Sequence, residues 1–571
     1  MSRRARAGLL GFFLGAALIW ALFLPVYSER GFGIDPRPPV VLGAVLLLLG
    51  FTGQMRWTLR PWLHWVLGVA IALLALLQLA SAAVAQILDR PLDLYFDFRH
   101  VPNLLALYLD AAGWRGALVL SAAALGAALL LWLTVRALAA IEHAMARPRT
   151  AVVALAAGLI GLSLIALPFA QPIDSAAARA AGAQTMAAWR AFTVLHGFDN
   201  RYAAALAAPE PPAGKLPGLK GKDVYLILIE SYGTVGLDDP AYRRVLDPAL
   251  AEFASTVEGA GYTLLSSRLV SPVFGGGSWL AHGTLASGIK LDQLANELLL
   301  NSQRLSLPRY LAAAGYRTVE VMPGIKKPDP EAAFWGFDAH YFAADLGYAG
   351  PPFGWFDIPD QFTLKQFAAH ELTPGNAPLF AQIVLVSSHT PFAPVPPYLG
   401  DWSDVGPYKN VPDDAWTRIY APPNWNNLDQ PYLASLSYDL KTVGVWLKGL
   451  DRDALVIILG DHQPPEITRV AGQPWTVPVY VLSRDADLTQ PFAALGYTRG
   501  DTPPPRDNPE GMEKFLGEFL RAFSVAPPCL DSASHDGSAL DSRLTCAPRP
   551  PPALAPRQSP DARAASPPSP G

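Results

Sequence analysis

ALVIILGDHQPP, residues 454–465, sets an unbroken apolar run against a polar turn. A short run without alternation fits a strand buried on both faces. Asp461 and His462 then stand at its carboxyl end, where open α/β sheets bind their ligands. Four more runs along the chain have the same form: VYLILIE (224–230), RTVEVM (317–322), PLFAQIVLVSSH (378–389) and VPVYVLS (477–483). Helical patterns separate them, so the expected domain is α/β, with a central, mostly parallel sheet flanked by helices. Glu230 closes the run at 224–230 and His389 the run at 378–389. Each such residue alone reads equally well as a turn or a helix cap. Four of them converging on one sheet edge favour a site.

A nucleophile for that site is supplied by SPVFGGGSWLAHGTLASG, 271–288. Three glycines let the backbone approach another group closely, and Ser278 follows them where a helix would start. Alone, this is a Gly-rich turn with a capping serine. A serine hydroxyl needs a base or a metal to become an effective nucleophile. One divalent cation held by Glu230, Asp461 and His462, with Ser278 Oγ completing the shell, would provide that activation. Two carboxylates, an imidazole and an alkoxide suit zinc or manganese; magnesium is less natural beside a histidine.

The 571 residues carry a net charge of −4, which gives no reason to expect a nucleic-acid partner. The apolar content is concentrated in the first third, in five stretches at about 8–27, 38–55, 65–88, 116–135 and 151–170. Each is about the length a bilayer-spanning helix needs, ~20 residues. Arg3, Arg4 and Arg6 precede the first stretch; Arg56 and Arg60 follow the second; Arg136, Arg147 and Arg149 follow the fourth. The alternate loops mix fewer arginines with aspartates. The positive-inside rule therefore places the N-terminus in the cytoplasm and everything after about residue 171 outside it. The expected organisation is a five-helix transmembrane domain (1–172), a juxtamembrane helix and linker (173–221), the α/β domain (222–526) and a Pro/Ser/Ala-rich tail (527–571) expected to be mostly disordered. Cys529 and Cys546, the two cysteines, read as one disulfide closing a short loop in an oxidising compartment.

The order LIESYG, Gly-rich nucleophile loop, SHTPF, LGDHQPP resembles the sulfatase-like branch of the alkaline phosphatase superfamily. Within it, the chain is similar to lipoteichoic acid synthases and to phosphoglycerol and phosphoethanolamine transferases, which also carry five membrane helices before an extracytoplasmic domain. The resemblance implies metal ligation by Glu230, Asp461 and His462, and gives Ser278 the place of the family's catalytic threonine. It makes His389 a contact of the transferred headgroup, and it puts His282 in the place of the sulfatases' arginine, either as a phosphoryl contact or as a packed helix histidine. The sulfatase motif C/S-x-P-x-R is absent, since Ser278-Trp279-Leu280-Ala281-His282 lacks its Pro and Arg. An unmodified serine favours phosphoryl transfer over sulfate-ester hydrolysis. Where the synthases hold phosphoglycerol with a histidine and an arginine, MPGIKKPDPEAAFWGFD (322–338) offers Lys326 and Lys327, as point charges for an anionic headgroup or simply as solvated loop residues.

The implied activity is ping-pong transfer of a phosphate-linked headgroup from a membrane phospholipid to an envelope glycan or lipid, through a phospho-serine. Its expected place is a bacterial inner membrane, multi-pass, with the catalytic domain periplasmic; a composition rich in Ala, Arg and Pro suits a GC-rich bacterium. The competing expectations are a sulfatase- or phosphodiesterase-type hydrolase and a non-catalytic lipid-binding sensor or transporter on the same fold. Trp335 and Phe337 read as core and Asp360 as the cap of the following helix; Asp97 and His100 lie in the second outer loop, where only their position would let them meet the catalytic domain.

Overall fold

The computed structural model describes residues 3–524, apart from 29–30, 89–90, 148–149, 151, 154, 157–158, 160–173, 198, 209, 327–329, 373–376, 410, 426 and 469–472. Cys529, Cys546, Lys327 and most of the stretch 151–170 lie outside the described residues.

Near the N-terminus are helices α1 (Arg3–Ala21), α2 (Val40–Gln54), α3 (Pro61–Leu88) and α4 (Val101–Met145). Among the described residues, two segments are long and apolar enough to cross a membrane, Pro61–Ala85 and Ala112–Met145; Leu9–Ala21 and Val40–Gln54 are apolar but shorter. The backbone of α4 departs from helical geometry at Gly113, φ 56°, at the start of its apolar segment. Ile19 of α1 and Leu138 and Ile141 of α4 share a small core and have no exposed surface. By contrast, Leu125 is 72 % exposed, as a side chain facing lipid would be.

The α/β domain is built on β1 (Asp223–Ile229), β2 (Thr263–Val270), β3 (Arg317–Met322), β4 (Ala339–Phe342), β5 (Leu379–Leu385), β6 (Ala454–Gly460), β7 (Thr476–Ser483) and β8 (Thr498–Arg499). They form one sheet in the order β8-β2-β7-β6-β1-β5-β3-β4. From β6 to β4 every pairing is parallel, while β7, β2 and β8 continue the sheet antiparallel.

Helices cover both faces, and β1 shows why its sequence runs apolar without a break. Tyr225, Ile227 and Ile229 enter one core, with Leu246, Leu250 and Phe253 of α5 (Pro240–Gly259) and Leu436, Leu440 and Val443 of α6 (Asp429–Lys448). Val224, Leu226 and Leu228 enter the other, with Leu280 and Leu285 of α7 (Ser278–Ser287) and Leu516 and Phe519 near the end of the domain. Each fully buried Leu or Ile is worth roughly 1.5–3 kcal/mol, so both faces of β1 contribute to holding the sheet. Trp335 and Phe334 lie in the second core, and Phe337 packs beside it, stacked on Phe380.

Candidate active site

Parallel pairing puts the ends of β6, β1 and β5 side by side. The register matches Ile229 with Gly460 and with Leu385, so Glu230, Asp461 and Val386 are the next residues on three neighbouring strands. Ligand atoms of Glu230, Asp461 and His462 all lie within 4.8 Å of one another, and all three residues are buried.

The nucleophile loop reaches this cluster because of its glycines. A Cβ at Gly275 would sit 2.5 Å from the Pro465 ring, so only glycine allows the loop to lie against the turn after His462. Gly276 and Gly277 adopt φ of 61° and 72°, the left-handed region that favours glycine. Ser278 then begins α7. Its hydroxyl donates to Glu230 Oε1 at 3.1 Å, with Oε2 at 3.2 Å, and lies 3.2 Å from His462 Nε2. The sequence-derived quartet of Glu230, Ser278, Asp461 and His462 is thus brought together.

The hydrogen bonds around the quartet leave particular atoms aimed inward. Ser231, held at φ 58°, donates its N–H to Asp461 Oδ1 at 2.7 Å, and the His462 N–H donates to the same oxygen at 2.7 Å. Asp461 Oδ2 is buried with no hydrogen-bond donor. His462 Nδ1 faces the Gln463 carbonyl at 3.0 Å, which fixes the tautomer and leaves Nε2 toward Glu230 and Ser278. An orphaned carboxylate oxygen, an imidazole lone pair, a second carboxylate and a hydroxyl, all converging, are the donor set of a divalent cation site.

The electrostatics agree with that reading. Burial drives the Asp461 carboxyl up to about 7, reinforced by the charge of Glu230. Burial opposes charge on His462, yet Asp461 and Glu230 push it up to about 10. Glu230 is also penalised by burial, but His462 and His389 hold it below the usual carboxylate range. Without a cation, the cluster therefore holds protons that a metal would replace.

His389 stands on the loop after β5, its ring near Phe356 (4.8 Å between ring centres) and Trp355 (6.3 Å). Its neighbour Thr390 donates to Glu466 Oε1 at 2.6 Å. Lys326 is paired with Asp357 at 2.8 Å, next to Phe356 in sequence, and so is no free point charge. His282, one turn after Ser278, is buried; its Nε2 has no partner, and burial lowers it to about 4. It is therefore a neutral imidazole at ordinary pH.

Asp360 corrects the sequence reading. It is the first residue of α8 (Asp360–Glu371) but makes no cap there. Its carboxylate instead accepts the Val386 N–H at 2.8 Å and the Ser387 N–H at 3.0 Å, holding the His389 loop from below. Asp439 of α6 lies against it, wholly buried, with no donor to either oxygen. Burial, and then the charge of Asp360, push Asp439 far above the usual carboxylate range, so it keeps its proton. Nothing in FDIPDQF distinguishes a cap from this cross-strand anchor.

Residues 294–473 match the family model described as Sulfatase. His389, Asp461 and His462 fall inside the matched segment; Glu230 and Ser278 precede it. No curated protein matches the chain. Among solved structures, the domain is similar to the lipoteichoic acid synthase LtaP from Listeria monocytogenes, at 16% identity over 54% of this chain and 74% of that one, TM-score 0.36. It is also similar to the periplasmic domain of EptC from Escherichia coli, at 17% identity over 55% and 86%, TM-score 0.36. A third is the Streptococcus pyogenes phosphoglycerol transferase GacH, at 11% identity over 58% and 80%, TM-score 0.33.

Proposed function

We propose that this chain is a membrane-bound, metal-dependent transferase that moves a phosphate-linked headgroup from a phospholipid to an envelope glycan or lipid through a phospho-serine. The observation that carries this reading is the Ser278 hydroxyl, 3.1 Å from Glu230 and 3.2 Å from His462, the two residues that cluster with Asp461 and its orphaned oxygen. Glu230, Asp461, His462 and Ser278 would hold one divalent cation, zinc or manganese, which when bound lowers the hydroxyl's pKa and polarises the phosphoryl group.

This chain's own residues supply the rest. Ser278 Oγ attacks the headgroup phosphorus, forming one P–O bond as the bond to diacylglycerol breaks; the glyceride oxygen takes up a proton in exchange for the one Ser278 loses. An acceptor hydroxyl then attacks phosphorus, gives up its proton, and returns Ser278 as the free alcohol. The N-terminal end of α7 favours the phosphoryl negative charge. His389, flanked by Trp355 and Phe356, borders the headgroup. His282 lies beneath as a neutral group, and Lys326, with its Asp357 partner, is offered at the headgroup rim. The apolar N-terminal helices anchor the enzyme in a bacterial inner membrane, as five spans with the domain outside.

The test is intact-mass analysis after incubation with labelled phosphatidylglycerol and phosphatidylethanolamine. A phospho-adduct on the wild type that is absent in Ser278→Ala is the expected result, and its mass identifies the headgroup. Release of free headgroup phosphate without transfer to any acceptor would make the enzyme a hydrolase. No adduct and no turnover with added zinc or manganese would sink the catalytic reading.

A further inference from the structure

The turn after His462 carries a buried amide whose partners belong to the segments that build the site. Gln463 has no exposed surface. Its Oε1 accepts the Val235 N–H at 3.1 Å, and its Nε2 donates to Thr234 Oγ1 at 3.1 Å and to the Pro474 carbonyl at 2.9 Å. Thr234 and Val235 follow Glu230 on the turn after β1, and Pro474 leads into β7. The fit is close: a Cβ at Gly233 would overlap the Gln463 amide oxygen, so the turn after Glu230 needs glycine there. Thr234 is fastened a second time, to Thr476, through its hydroxyl at 2.7 Å and its N–H at 3.1 Å.

Both ends of this amide lead back to the reacting atoms. The Gln463 carbonyl receives His462 Nδ1 at 3.0 Å, so the residue that the side chain pins is the one that sets the His462 ring. On the other side, the carbonyl of Trp475, next to Pro474, accepts the Ser271 N–H at 2.8 Å, and the Trp475 ring lies against Phe274, 5.8 Å between ring centres. Ser271 Oγ in turn donates to the Asp461 carbonyl at 2.6 Å. Ser271 and Phe274 belong to the loop that delivers Ser278. We infer that Gln463 is a positioning residue of this site: by joining three segments it aims His462 Nε2 at the ligand cluster and holds the Ser278 loop beside it. A buried amide that only filled hydrogen bonds would stabilise the fold and leave the site's chemistry alone. One that sets a ligand's ring acts as the outer partners of metal-bound histidines do. The inference rests on the cation site of the proposed function.

Three variants of the full chain in nanodiscs test it. Gln463→Met keeps the length of the side chain and none of its hydrogen bonds; Thr234→Val removes one acceptor of the amide; Leu250→Ala is a truncation in the core under α5. Each is titrated with zinc against a chelating dye, and with cobalt(II), whose visible bands report its ligands. Gln463→Met should bind zinc roughly ten- to a hundredfold more weakly and shift the cobalt bands. Its phospho-serine formation at saturating metal should slow, with KM for phospholipid unchanged. Thr234→Val should move the same readouts in the same direction by a smaller factor, which keeps the test decisive should Gln463→Met fail to fold. Leu250→Ala should lose at least as much thermal stability yet keep the wild-type zinc affinity and cobalt bands. Zinc affinity and cobalt bands that follow thermal stability alike in all three would overturn the inference and leave the transferase intact. A wild type that binds no zinc would overturn it together with the cation site. Zinc binding that depends on Gln463, with no phospho-adduct, would sink the transferase reading and uphold the positioning role.

Discussion

At Asp461 the two oxygens are unequal: Oδ1 takes the N–H groups of Ser231 and His462, each at 2.7 Å, and Oδ2 takes none. That asymmetry orients the side chain and reserves one oxygen for a cation, and it gives metal binding a pH dependence. Burial drives the Asp461 carboxyl up to about 7, and Asp461 and Glu230 push His462 up to about 10 against its own burial, so at low pH both carry protons that a cation must displace. Apparent zinc affinity should therefore fall with pH, by about tenfold per pH unit for each proton displaced. Calorimetry at pH 6 and pH 8, in buffers of different ionisation enthalpy, reads both the affinity and the released protons; an affinity flat across that range would sink the ligand assignment. Glu230, Asp461 and His462 were legible in sequence because each follows an apolar run that had to be a central strand. Ser278 was legible only with the cluster beside it, since the serine after a Gly-rich turn looks the same whether it caps a helix or attacks phosphorus. His282 was noticed, but its unpartnered nitrogen is a fact of packing that no sequence spacing contains.

The loop after β5 shows how an element is held for the site it carries. Two N–H groups, Val386 and Ser387, end on the Asp360 carboxylate, and Ser388 Oγ donates to the Glu230 carbonyl at 2.7 Å. Burial raises the Asp360 carboxyl as well, and the contact with Asp439 and the two N–H groups oppose that rise. Asp360→Asn replaces one acceptor oxygen with an amide that opposes an N–H, at a cost of about 1–3 kcal/mol. Thermal unfolding should register that loss, and phospho-serine formation should slow while metal content stays unchanged, because the displaced group is His389 and not a ligand. Unchanged rates in a destabilised variant would reduce Asp360 to a purely structural role. The strands most legible in sequence were those buried on both faces, β1, β5 and β6. Strand β2, TLLSSRLV, was missed because Ser266, Ser267 and Arg268 interrupt its apolar run, although all three are buried. Arg268 is tolerated there because Asp238 meets it at 2.8 Å, a partner thirty residues away that local reading cannot supply.

For the whole molecule, the question is where the catalytic edge stands relative to lipid. The two helices long and apolar enough to span include α4, and the segment before α4 touches the α/β domain: Arg99 pairs with Glu297 at 2.8 Å, and its guanidinium lies over Tyr95. The contact is made by Arg99, not by the Asp97 or His100 singled out in sequence. On the described helix Ala176–Leu195, Met186, Trp189 and Phe192 are 52 %, 62 % and 48 % exposed, three residues apart on one side, while Ala191 and Val194 are buried. Trp114 and Phe98 are each 71 % exposed near the same end of α4. Amphipathic aromatic rings favour the headgroup level of a bilayer, so on the proposed membrane reading these rings would lie at that level. A phospholipid donor lying there would need no extraction to present its headgroup to the domain. In nanodiscs containing headgroup-proximal brominated lipid, the wild type should therefore lose a quenchable fluorescence component that Trp189→Phe lacks, and Trp425, in the domain, should contribute none. Pairing Trp189→Ser with Phe192→Ser should slow phospho-serine formation from bilayer lipid several-fold but leave it intact with a short-chain donor in solution. Equal slowing with both donors, or no quenching assignable to Trp189, would separate this helix from the membrane. The face would then have to be covered by protein, because an exposed Met–Trp–Phe row on a helix is stable only against an apolar neighbour.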